Sequence, residues 1–185
     1  MSEAIFLGRF QPFHEGHYKV VEKYMDDFED LKIVIGSAGK KDEEENPLSF
    51  EERKEIIQEC FPDLKVQALE DEEKTEEGNR KWASKLEKFN ADTVISGNSL
   101  VQRLVEEYTD MDVLEPELHD PEIYSGTEIR RRIRSGEEWR YLVPKCAQDR
   151  IEELEERIRE AGIDYEFEPG WKKENAYHGT ANSDQ

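Results

Sequence analysis

The chain has 185 residues, enough for one domain with a sizeable core, and carries 46 acidic against 26 basic residues, a formal net charge of −20. That charge argues against a nucleic-acid polyanion as partner, and no apolar run approaches the roughly 20 residues that a membrane span needs, so a cytoplasmic protein binding neither is expected. A surface this acidic suits concentrated salt, where counter-ions screen self-repulsion, and a halophilic setting is expected on that ground; an acidic enzyme of ordinary salt is the alternative.

In chain order, Ala4–Leu7 is a short apolar strand ended by Gly8, followed by a helix over His14–Asp26 with Val20, Val21 and Tyr24 at helical spacing. Leu31–Ile35 is a second strand, stopped by Gly36-Ser37-Ala38-Gly39. Lys40–Asn46 is almost wholly charged and reads as an exposed, mobile loop. Ser49 with Glu52 has the capping-box pattern and opens a helix containing Ile56, Ile57 and Cys60. Leu64–Leu69 alternates like a third strand, and a polar loop to Gly78 leads into a helix with Trp82, Leu86 and Phe89. Thr93–Ser96 and Val113–Leu114 are the fourth and fifth strands, with a short helix between them. The remainder reads as helix over Thr127–Arg134, Trp139–Leu142 and Pro144–Ala161, the last capped by Gly162. Cys60 and Cys146 lie far apart among apolar or helical neighbours and are expected to be reduced, partly buried thiols.

Strands alternating with helices at this spacing predict an α/β fold: a Rossmann-like, doubly wound parallel sheet of about five strands with a helical C-terminal part. One domain is expected over residues 1–170, with a loosely held tail over 171–185. Ligands of such sheets bind beyond the carboxyl ends of the strands.

The loop after the first strand carries the chemistry. Gly8 permits a sharp exit from the strand and Pro12 fixes the loop. His14 and His17 share one face of the first helical turn, where free N–H groups and the helix dipole favour an anion. Gly16 has no side chain to keep a phosphate away, and Arg9 adds a guanidinium fork. The set suits a polyphosphate; an i, i+3 histidine pair without a third ligand is weak evidence for a metal, and no metal ligand is assigned.

Gly8-Arg9-Phe10-Gln11-Pro12-Phe13-His14-Glu15-Gly16-His17 resembles the first motif of the His-x-Gly-His nucleotidyltransferases, and in its full length that of the archaeal-type nicotinamide mononucleotide adenylyltransferases. Ile123–Arg130 is similar to the superfamily's second motif, in which Ser125 and Thr127 can cap a helix and hold phosphate oxygens while Arg130 lies one turn inside. Ser96-Gly97-Asn98 resembles the family's nucleotide-holding turn. Asn79 and Trp82 match its Asn-x-x-Trp, where the indole stacks on the nicotinamide ring. Arg131, Arg132 and Arg134 read as salt-bridged or solvated, and Trp139–Pro144 as structural.

The resemblance implies attack by the phosphate of nicotinamide mononucleotide on the α-phosphorus of ATP, giving NAD and pyrophosphate. It places His14 and His17 at the ATP phosphates, Arg9 and Arg130 at those that leave, and Gly8, Phe10, Gly16, Ser125 and Thr127 in the phosphate site. Magnesium would accompany ATP, and a homo-oligomer, a hexamer, is implied. The chain departs from the family where an arginine ordinarily precedes Asn46-Pro47: Glu44 and Glu45 stand there, leaving Lys40, Lys41 or Arg53 as the substitute cation. The alternatives are the same chemistry on FMN or phosphopantetheine, and a nucleotide sensor without catalysis.

Overall fold

The structure, a computed structural model, describes residues 2–118 and 120–163. Five parallel strands, β1 (Glu3–Gly8), β2 (Asp30–Ile35), β3 (Val66–Ala68), β4 (Thr93–Ile95) and β5 (Asp112–Leu114), form one sheet in the order β3-β2-β1-β4-β5. The central strand is buried on both faces, as its unbroken Ala-Ile-Phe-Leu run requires. Strand order reverses there, so the loops leaving β1 and β4 flank the switch point where such sheets bind ligands.

Two clusters cover the sheet. On one face Ala4 and Phe6 meet α1 (Glu15–Tyr24), α2 (Phe50–Cys60), α5 (Gly126–Ser135), α6 (Lys145–Glu153) and α7 (Glu155–Glu160). On the other, Ile5 and Leu7 meet α3 (Glu76–Glu87) and α4 (Ser99–Tyr108) through Leu86 and Val105. The capping box is present: Ser49 Oγ accepts from Glu52 N, and the Glu52 carboxylate accepts from Ser49 N.

Several expectations are corrected. The loop expected to run to Gly78 ends earlier, because Thr75 caps α3 and accepts from Gly78 N at 3.0 Å. Gly78 lies inside the first turn, where a Cβ would stand 1.9 Å from the Glu73 carbonyl. The single helix expected over Pro144–Ala161 breaks at Leu154, whose N–H bonds the Ile151 carbonyl three residues back. The break turns α7 onto α5, where Arg134 donates to the Ile158 carbonyl and Arg159 to that of Ile133. Helical periodicity cannot foretell a bend that tertiary packing imposes.

Cys60 and Cys146 are not free thiols: they form a disulfide joining the end of α2 to the start of α6. Nothing in a separation of 86 residues shows that the two helix ends meet. The charged loop read as mobile is tied down instead. Asp42 N bonds the Pro47 carbonyl and its carboxylate pairs with Arg157, while Arg134 donates to the Glu44 carbonyl. Gly162 N bonds the Asp42 carbonyl, and Gly162 (φ +85°) lies so close that a Cβ would be 2.8 Å from Glu44 Cβ. The expected tail and the boundary at residue 170 lie outside the described residues. Among the described residues no helix is long and apolar enough to cross a membrane.

Candidate active site

The β1–α1 loop is built as a cap. His14 is the N-cap of α1; its Nδ1 accepts from Gly16 N at 3.0 Å, and His17 Nδ1 accepts from His14 N at 3.1 Å. The rings stack with centroids 3.6 Å apart. This reciprocal capping fixes the chemistry: an Nδ1 that accepts bears no proton, so each neutral ring carries its proton on Nε2. Burial lowers the His14 pKa from 6.5 to about 3. Burial, with the neighbouring His14 adding to it, lowers that of His17 well below 6.5. Two neutral Nε2–H donors thus stand at a helix N-terminus.

The glycine between them has a reason beyond leaving room for a ligand. A Cβ on Gly16 would lie 2.8 Å from His14 Cε1, so the histidine can fold back to cap its helix only over a glycine. Phe10 (φ 54°), assigned to the phosphate site with the rest of the motif, is 1% exposed. Its ring covers Gly8 and meets His17 edge-on at 4.7 Å, and Phe13 stacks on the other side of His17 at 5.6 Å. The Phe10 side chain thus packs against His17.

Arg130 reaches this loop from α5. Its Nη1 donates to the Gln11 carbonyl at 2.8 Å and its Nη2 lies 3.5 Å from Thr127 Oγ1; its buried Nε has no hydrogen-bond partner. Ser125 caps α5 by accepting from Glu128 N. Gly126 is needed between them, since a Cβ would stand 2.9 Å from both Arg130 Nη1 and the Gln11 carbonyl oxygen. Burial, then the charges of Arg134 and Arg9, lowers the Arg130 pKa to about 10, with Glu45 and Glu44 opposing. Arg9 is exposed and acts on Arg53 in the same way. In a chain of charge −20, the Arg9, Arg53 and Arg130 guanidinium groups are thus gathered around the β1–α1 loop.

Of the candidate substitute cations, Lys40 pairs with Asp71, Lys41 is exposed, and the donors of Arg53 all go to carbonyls. Arg131 and Arg132 pair with Glu128, holding its carboxyl down at about 2, and Arg134 donates to carbonyls. Sequence reasoning passed over Gln11, whose side-chain amide makes both hydrogen bonds of the Leu48 peptide and so joins the first loop to the segment before α2. Its position between Phe10 and Pro12 carried no signal of a partner 37 residues away.

The residues assigned to the second nucleotide are on α3 and in the loop leaving β4. Asn98 caps α4, its Oδ1 accepting from Leu100 N and Val101 N, and Gly97 beside it is exposed. Asn79 and Trp82 are half-buried on α3, with Trp82 against the second cluster. Among the described residues no ring contact or hydrogen bond joins them to the histidines. No group of three histidine, cysteine or acidic side chains is placed to hold a metal ion among those residues either.

A cytidylyltransferase-like family model matches residues 5–132. The nicotinamide-nucleotide adenylyltransferase of Methanolobus tindarius is 37% identical over 161 residues, covering 84% of this chain and 90% of that protein. The proteins of the same name from Methanoculleus marisnigri and Halobacterium salinarum are 35% and 32% identical, covering 89% and 86% of this chain and 100% and 92% of theirs. Among solved structures, a bifunctional NMN adenylyltransferase/ADP ribose pyrophosphatase from Francisella tularensis superposes with a TM-score of 0.70 at 20% identity, covering 88% of this chain. The chain spans 53% of that larger protein, and the likeness is one of fold.

Proposed function

The chain belongs to the cytidylyltransferase-like family and, within it, to the nicotinamide-nucleotide adenylyltransferases; from that premise we propose that it transfers the AMP of ATP to nicotinamide mononucleotide, forming NAD and releasing pyrophosphate. The observation that carries this reading is the histidine pair, held neutral with both Nδ1 atoms occupied and both Nε2–H groups left to donate.

A phosphate monoester is already a competent nucleophile, so the protein need only position the reactants and stabilise charge. In this reading the nicotinamide mononucleotide phosphate attacks the α-phosphorus and the bond to the bridging oxygen of pyrophosphate breaks. His17 Nε2–H donates to the α-phosphate, whose oxygens gain charge in the transition state, and His14 donates beside it. Arg130 and Arg9 take the charge of the departing pyrophosphate, with the N-terminus of α5 at Ser125 and Thr127 behind them. Asn79, Trp82, Gly97 and Asn98 are proposed for the nicotinamide nucleotide; an indole under the cationic ring would contribute about 0.5–2 kcal/mol.

The donor set is made of N–H groups, which fit phosphate oxygens and offer a cation no direct ligand. Magnesium would therefore be held through the ATP phosphates, where it supplies neutralisation of charge on the leaving group. A cytoplasmic homo-oligomer, a hexamer, completes the proposal and is checked by sedimentation.

The test is NAD formation by the purified protein with ATP, magnesium and nicotinamide mononucleotide, at low and high potassium chloride, with FMN and phosphopantetheine as parallel acceptors. NAD from nicotinamide mononucleotide alone is the expected result. Product from another acceptor overturns the substrate, and a folded protein that binds ATP yet yields nothing at any salt overturns the enzyme.

A further inference from the structure

Arg53 lies in the first half of α2, is 0% exposed and has no ion pair among the described residues. Its Nε donates to the Ser49 carbonyl at 3.2 Å and its Nη1 to those of Arg9 and Gly36, both at 3.0 Å. Its Nη2 donates to the Ser37 carbonyl at 3.1 Å, with those of Ala38 and Lys40 at 3.4 Å. Burying a cation without a counter-charge is costly even when its donors are met, and an apolar side chain of similar volume would fill the space without that cost. What an apolar side chain could not do is join two strand-exit loops.

Those loops are Gly8–Arg9 after β1 and Gly36–Lys40 after β2. Apart from Arg53, the hydrogen bond that links them among the described residues is the backbone bond from Gly36 N to the Gly8 carbonyl, at 2.8 Å. The carbonyl that Arg53 holds at Arg9 precedes Phe10, whose φ of 54° is one an L residue seldom adopts. The clamp thus grips the chain between the Arg9 side chain and the turn that aims the histidine segment.

We propose that Arg53 is a positioning residue for adenylyl transfer, its guanidinium fixing the Arg9 peptide and the β2 exit loop in one frame so that the Arg9 side chain meets the ATP phosphates at a set place. The inference rests on the reading of Arg9 as a phosphate ligand given above. Arg53 touches neither substrate, because its N–H groups are all engaged by carbonyls. Its charge bears on the same region: burial and then the nearby Arg9 cation lower its pKa to about 10, with Asp71 and Glu52 opposing, so it remains charged at neutral pH and an anion at Arg9 relieves their repulsion.

Arg53→Lys keeps the charge but cannot span both loops, and it is compared with the parent protein, Arg9→Ala and the double variant. Calorimetric titration with magnesium and ATP alone is run beside steady-state turnover. Arg53→Lys is expected to lower kcat/KM for ATP on the order of 10²-fold, as a small displacement of a charged ligand does, while KM for nicotinamide mononucleotide stays within about twofold. In the Arg9→Ala background the same substitution is expected to change ATP binding by less than about threefold, because its effect runs through Arg9. Equal losses toward both substrates, or an undiminished loss in that background, would overturn the assignment.

Should Arg53→Lys not fold, hydrogen exchange on the parent protein decides: ATP is expected to slow the amides of residues 9–11 and 37–40 together. Protection of 9–11 alone overturns the proposal. A parent protein that binds ATP but makes no NAD would sink the enzymatic reading and leave the calorimetric cycle as the test of Arg53.

Discussion

The β1–α1 loop and the α6–α7 segment are both dense in polar contacts, yet they are built by opposite rules. In the loop, charge and polarity are buried and satisfied by backbone: His14 and His17 cap each other, Arg53 and Arg130 donate to carbonyls, and Gly16 and Gly126 exist because a Cβ would strike a side chain or a carbonyl. In the C-terminal segment polarity sits outside. Arg150 reaches Glu55 and Glu153, Arg140 reaches Glu152, Arg157 reaches Asp42 and Glu52, and the joining is done by a disulfide and by Arg134 and Arg159 bridging α5 and α7. A group held by several buried partners has one geometry and serves a reaction; a half-exposed ion pair has many and serves solubility.

The sharpest way to break this contrast is His17→Ala. Removing a donor aimed at developing charge is expected to lower kcat by about 10²–10³ well below the melting transition, while the lost cap and ring packing cost about 1–3 kcal/mol of stability. A turnover within a few fold of the parent would place His17 outside the reaction. The opposite profile is expected of Cys60→Ser: a loss of stability of about 2–4 kcal/mol by denaturant unfolding, reproduced by reductant on the parent protein, with kcat unaltered. A disulfide variant that loses turnover without losing stability would erase the distinction between the two regions.

The buried histidines also give acid sensitivity a sign. The folded pKa of His14, about 3, lies below its unfolded value of 6.5, so its contribution is complete above pH 6.5 and is lost as pH falls toward 3. Stability is expected to fall over that window by up to about 1.4 kcal/mol per pH unit for each such histidine. His14→Asn keeps a capping side chain but cannot titrate, and should flatten the slope; an unchanged slope would mean that His14 does not carry it. Turnover of the parent protein is expected to show no break near pH 6.5 from either ring. The smallest effect belongs to the periphery: Arg150→Ala should cost less than about 1 kcal/mol, and less still in concentrated potassium chloride. If the acidic surface is a salt adaptation, the same titration shows stability rising with salt.

What the sequence made legible was local. His14, Gly16 and His17 interact within one helical turn, and Ser49 with Glu52 likewise, so spacing alone carries the geometry. The parallel sheet of five strands followed from alternation of apolar runs with helices, whereas the order of its strands came only with the structure. What stayed hidden depended on distant partners: the Leu154 bend is set by packing on α5, Cys60 meets a residue 86 positions away, and Arg53 grips a carbonyl 44 positions away. Arg53 stands among the candidate substitute cations because a sequence shows an arginine's charge and not the carbonyls that engage it. The loop of residues 40–46 looked mobile for the same reason, since Arg134, Arg157 and Gly162 hold it from the far end of the chain.

The seat of Gly162 against Glu44 has a consequence for how the enzyme comes into being. Arg130, and Arg134 with its bond to the Glu44 carbonyl, leave the ribosome before Arg157 and Gly162, which add the ion pair to Asp42 and the bond to its carbonyl. A nascent chain paused before that point would lack both of those ties, and α7 with Gly162 completes the fastening of the loop that carries Glu44 and Glu45.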